Sequence, residues 1–201
     1  MTALSSCRFV AVVAGLSLAL VGCAVSKVPE PVPLPPVVRE TPTPTPPSAP
    51  APEPAVPTTC DELLPPAVLQ GYDPRIAMHG QGDIAEGQLE NMLGPKAMAT
   101  LRSGEQQLYC TFGIPQTDGG ASIGVAIISE ETRDELLLAL RSSVFSEVDA
   151  GMADAAFMRG ASESHQHTAT IIIDEDALVA LTSRLGTGFA WDAYEKVRGQ
   201  E

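Results

Sequence analysis

Two histidines set two apart, His165 and His167, have the type and spacing of metal ligands in this 201-residue chain. On a strand they would share one face, as a ligand pair must, and His79 is the third imidazole of the sequence. Nothing in the sequence brings His79 near the pair. A polar strand start rich in Ser162, Ser164, Gln166 and Thr168 accounts for the same residues, so no metal and no cofactor are expected. Ser162 and Ser164 beside His165 have the types of a nucleophile and its base. However, Gly160-Ala161-Ser162-Glu163-Ser164 lacks the second glycine of a nucleophile elbow, and neighbours on a strand point opposite ways. Asp174-Glu175-Asp176 lacks the spaced carboxylates and glycine of a calcium loop and reads as a solvated turn. The run Gly80-Gln81-Gly82-Asp83-Ile84-Ala85-Glu86-Gly87 misses the dinucleotide spacing and follows no strand, which makes it a loop. Phe189, Trp191 and Tyr194 would lie on one helix, where so few aromatics are read as core. No catalytic residue is assigned, and the chain is expected not to be an enzyme.

A different chemistry belongs to Cys23. It closes Leu20-Val21-Gly22-Cys23 at the end of an apolar run from Phe9 to Val21, after a short polar start carrying Arg8. The run has the layout of an export signal and falls short of the ~20 apolar residues of a membrane span. These four residues resemble the lipobox of bacterial lipoproteins. The resemblance implies that the chain is cut between Gly22 and Cys23, that the Cys23 thiol carries a diacylglyceryl group, and that the new amino group is acylated with a palmitate-like chain. Each buried methylene contributes roughly 0.8 kcal/mol, so two or three chains hold stably where one is marginal. The implied address is the extracytoplasmic face of the cell membrane, with the lipid on Cys23 as the membrane contact.

Thirteen of the eighteen prolines fall between Val28 and Pro57. Such a stretch lacks backbone donors and keeps to polyproline II, giving a semi-rigid spacer on the order of 90 Å when extended. The chain therefore divides into a leader at 1–22, a lipidated start and proline-rich disordered spacer at 23–57, and one globular domain at 58–201. That domain holds 22 acidic and 9 basic residues, a net charge of −13 that equals the charge of the whole chain. An acidic surface of this kind is repelled by nucleic acid, which is excluded as a partner.

With Cys7 in the leader and Cys23 lipidated, two cysteines remain, Cys60 and Cys110. In an oxidising compartment an even pair is expected to form a disulfide, and there is no C-x-x-C or neighbouring histidine to suggest metal or redox chemistry.

The elements that position these groups alternate between helix and strand. Helical patterns cover 61–70, limited by Pro65 and Pro66, then 84–92 and 95–101, broken at Gly94-Pro95. Leu108, Cys110, Phe112 and Ile114 alternate with smaller or polar residues, so 108–114 reads as a half-buried strand with Cys110 turned toward the helix of Cys60. Asp118-Gly119-Gly120 is a turn leading to a strand at 122–129. Thr132 with Glu135 has capping-box spacing and predicts a helix running through Leu136, Leu140 and Val144. Strands follow at 155–159, 168–173 and 177–182, the last two a hairpin, and a final helix covers 189–197. The expected fold is α+β, a single domain with an antiparallel sheet of four to five strands covered on one face by helices.

Cys60-Asp61-Glu62-Leu63-Leu64, the strand ending Tyr109-Cys110-Thr111-Phe112, and Gly151-Met152-Ala153-Asp154-Ala155-Ala156-Phe157 before a hairpin resemble a group of actinobacterial envelope lipoproteins of unknown function. Phe112 stands where tryptophan is usual in that group, and Ala153 where a second glycine is usual. The resemblance implies the same fold, disulfide and envelope address, and carries no catalytic residue. The expected role is a non-catalytic binding or sensor module taking a small apolar ligand, its ligand-binding residues unknown. The alternatives are an accessory lipoprotein docking on an envelope protein and, behind it, a hydrolase or metalloenzyme using His165 and His167.

Overall fold

The computed structural model describes residues 53–160 and 167–199. Gly22, Cys23 and His165 lie outside the described residues, so the lipid attachment and the histidine pair are not placed by it.

Seven strands form one antiparallel sheet: β1 (Ala77–Gln81), β2 (Gln106–Gly113), β3 (Gly120–Ile127), β4 (Ser146–Val148), β5 (Ala155–Arg159), β6 (Thr168–Asp174) and β7 (Ala177–Ser183). Their order is β1-β2-β3-β7-β6-β5-β4. The β1-β2-β3 half thus meets the β4-to-β7 half at the β3·β7 pair, and α5 (Glu130–Arg141) carries the chain from the end of the first to the far edge of the second. The α+β class and the antiparallel sheet agree with the sequence, but there are seven strands rather than four to five. The two unforeseen strands that hold the edges, β1 and β4, are five and three residues long, and their outward residues are exposed.

Helices cover both faces of the sheet, not one. On the first face α1 (Cys60–Leu63), α2 (Pro66–Tyr72) and α6 (Gly188–Val197) pack Leu63, Leu69 and Phe189 against Cys110, Ile123 and Val179. On the second, α3 (Asp83–Leu93), α4 (Pro95–Ser103) and α5 pack Leu89, Leu101 and Leu136 against Tyr109, Ala180 and Ile171. The reason is legible in β6 and β7. Ile171-Ile172-Ile173 and Leu178-Val179-Ala180-Leu181 are unbroken apolar runs, and a strand with no polar face needs cover on both sides.

Local signals set the boundaries. The stretch 61–70 is two helices, because Pro65 cannot donate within a helix and Leu64 leaves the helical region before it. Thr59 and Glu62 close a capping box on α1. Gly94 takes φ +84°, a conformation costly to any other residue, and Pro95 then starts α4 at its first position. α5 is capped by Ser129 rather than Thr132; this sets Glu130 and Glu131 in the first turn, where the helix dipole favours acids. It stops at Arg141, which leaves Val144 off the helix and exposed. The run 80–87 is not a loop: its start belongs to β1 and its end to α3.

Cys60 and Cys110 are bonded, with Cα atoms 5.7 Å apart, fixing α1 to β2 across 50 residues. The chain enters beside them: Ala55 N donates to Val197 O at 2.9 Å, and Val56 N to Gln106 Oε1 at 3.3 Å.

The β6–β7 turn is not simply solvated. Asp174 is 5% exposed and accepts from Tyr194 Oη and Arg198 Nε, both at 3.0 Å. Asp154 Oδ2 accepts from Glu175 N at 2.8 Å, holding Glu175 in its left-handed conformation at φ +48°. This gives the aspartate of the 151–157 motif a structural task.

All three tyrosines titrate high. Burial raises Tyr72, Tyr109 and Tyr194 to about 12, helped by nearby carboxylates, chiefly Asp192 at Tyr72, Glu86 at Tyr109 and Asp174 at Tyr194. A phenol whose folded value exceeds its unfolded value near 10 stabilises the fold below pH 10, and that contribution is lost as pH rises toward 12. Ultraviolet difference titration is expected to show no native phenolate at pH 10, with stability falling between 10 and 12. A tyrosine ionising at 10 in the folded chain would contradict this.

Candidate functional site

Register, not sequence proximity, assembles a large cleft on the second face of the sheet. Thr111 on β2 lies opposite Ser122 on β3, and Ser122 opposite Thr182 on β7, so three hydroxyl residues form a row across the second face. In the next row toward the strand ends, Gly113 faces Gly120. A Cβ on Gly113 would come within 2.6 Å of Gly119 O, so the floor must be bare there. The α3 helix lies over the same face, and its Gln88, Asn91 and Met92 form one wall; the β2–β3 loop and the β7 end form the other. The cleft measures about 530 Å³, within the ~300–1,000 Å³ range of small-molecule sites.

Its polar groups are tied together. Gln88 Oε1 accepts from the Ser122 hydroxyl, and the single proton of Thr111 Oγ1 has two acceptors in reach, Gln88 Oε1 at 3.3 Å and Ala121 O at 3.2 Å. The Ser122 hydroxyl is therefore bonded to an amide oxygen and not to an imidazole, so it is not arranged as an activated nucleophile. At the rim, Arg184 Nε donates to His167 Nε2, and Arg184 Nη1 meets Asp118 Oδ2 at 2.5 Å. Burial, then the Arg184 charge, lower the His167 pKa, with Asp118 opposing.

His79 and His167 line the same cleft, a proximity that the sequence could not supply. Among the described residues no group of three or more His, Cys, Asp or Glu side chains is placed to hold a metal ion. Phe189 and Tyr194 are buried and Trp191 is half-buried, which places the last helix's aromatics in or against the core. Tyr72 adds to it, its ring centroid 4.1 Å from that of Phe189. No helix among the described residues is long and apolar enough to cross a membrane.

The sequence reading missed Gln88, Asn91, Thr111, Ser122 and Arg184. The usable signal was slight: Thr111, Ser122 and Thr182 are polar residues set among mostly apolar neighbours in three strands. No family model, no curated protein and no solved structure matches the chain.

Proposed function

We propose that this protein is a lipid-anchored, extracytoplasmic lipoprotein whose domain is a non-catalytic binding module, and that the cleft of Thr111, Ser122 and Gln88 is its ligand site. The observation that carries the reading is the position and lining of that cleft. It opens at the Gly113 end of β2, whereas the chain enters at the Gln106 end, about 24 Å away at the rise of an antiparallel strand. The cleft is thus at the strand end away from Ala55 and Val56. Because hydroxyls and amides share the lining with Met92, Ile114 and Pro115, the ligand proposed is a small molecule with a polar group, where the sequence suggested an apolar one.

Two experiments test the reading. Cys23→Ala is expected to abolish acyl labelling and membrane partitioning; equal labelling of the variant overturns the anchor. A photo-crosslinking residue at Asn91 in the full chain, irradiated in living cells, is expected to gain adducts of small-molecule mass. The same residue at Leu138, 70% exposed on α5, is expected to gain none. Protein adducts at Leu138 with nothing at Asn91 would favour the docking alternative instead.

A further inference from the structure

Resting on the reading of the cleft as a binding site, we infer that its ligand carries a carboxylate, which is received by the Arg184 guanidinium in exchange for the carboxylate of Asp118.

The first support is the distribution of charge. The domain from 58 onward carries 22 acids, yet Asp118 is the one acid among the described residues that line the cleft. Elsewhere the surface repels anions; here amides, hydroxyls and bare backbone share the walls with Met92, Ile114 and Pro115, and Arg184 is the one guanidinium. A cleft for a cation would be expected to draw on the abundant acids, and this one does not.

The second is how Arg184 is held. Its backbone N donates to Gly120 O at 3.0 Å, and its Nε to His167 Nε2. These two bonds orient a planar fork whose geometry suits a carboxylate. Burial and the Arg184 charge both disfavour a charge on His167, so Arg184 is the cation offered to an anion in the cleft.

The third is that the present partner is exchangeable. The Asp118 side chain is 79% exposed on the β2–β3 loop, next to Gly119 and Gly120. An ion pair with one member in water is worth no more than ~1 kcal/mol. Asp118 thus shields the guanidinium and yields to a carboxylate that also bonds Ser122, Thr111 or Gln88 through its body.

The test uses the full chain in detergent micelles, labelled with nitrogen-15, and two probes of the same shape: N-acetylalanine and the neutral N-acetylalaninamide. The carboxylate probe is expected to shift the Arg184 Nε–Hε signal and the Gly120 amide saturably, and the amide probe to leave them in place. Asp118→Asn is expected to tighten the carboxylate up to about fivefold, and Arg184→Gln to remove its effect. Equal shifts with both probes would overturn the carboxylate inference and leave the cleft as a binding site. No saturable shift with the carboxylate would also overturn it, the cleft itself being decided separately by the Asn91 crosslink. Weaker binding in Asp118→Asn would overturn the exchange.

Discussion

Replacing both Cys60 and Cys110 by alanine is expected to lower the stability of the domain by about 4 kcal/mol, the chain-entropy value for a closed loop of 50 residues. With an m-value of roughly 2 kcal/mol per molar for a domain of this size, the urea midpoint should fall by roughly 2 M. The loss should concentrate in α1 and α2. α1 has four residues and α2 seven, too short for independent helices, and they rest on the sheet through Leu63, Leu64 and Leu69. Amide exchange should therefore quicken there before it does in β3 or β7. A midpoint shift below about 0.5 M would show that helix packing alone sets this corner.

Arg198→Met is expected to cost about 3 kcal/mol, because it leaves the Asp174 carboxylate buried without its cation. Arg198 and Asp174 side chains are 13% and 7% exposed, and Tyr194 would then be the remaining donor to that carboxylate among the contacts described above. Asp174→Ala should cost less, since Arg198 keeps Glu175 at 3.0 Å, a partner 67% exposed to solvent. The asymmetry is the informative result: equal costs for the two variants would mean that the pair acts as a surface contact. Chemical denaturation of both variants at neutral pH measures it.

How much of this was legible depends on where each residue lies. β2 was readable because Leu108, Cys110 and Phe112 alternate with Tyr109 and Thr111, and β5 because Gly160 ends it. β1 and β4 were not, because an edge strand has one neighbour and exposes much of its length. Ala77-Met78-His79-Gly80-Gln81 carries one large inward side chain, Met78, and Ser146-Glu147-Val148 has none buried. Their pairing comes from ladder bonds to β2 and β5, which no hydrophobic period announces. The second helical layer was foreshadowed by the unbroken runs in β6 and β7, a signal of double cover that the hairpin reading passed over.

The disulfide was found by counting thiols. The cleft resisted any such arithmetic. Thr111, Ser122 and Thr182 are scattered over 71 residues and become neighbours only through register. Arg184 follows the last residue of β7, and no motif or spacing marks it. The Asp174–Arg198 pair was hidden for the same reason, as its members are joined by the fold and not by spacing on one helix.

The bond between Cys60 and Cys110 also defines how the domain bears tension. A pull on the N-terminal segment reaches Cys60 within a few residues of Ala55 and Val56, crosses the sulfurs, and enters β2 directly. From Cys110 it has three residues to travel to Gly113, on the floor of the cleft. The 50-residue span holding α1, α2, β1, α3 and α4 lies outside this route and cannot be peeled away from the end. A pull on the N-terminal segment is therefore delivered to the sheet through a covalent bond, and the helices of the bridged span are not unravelled on the way.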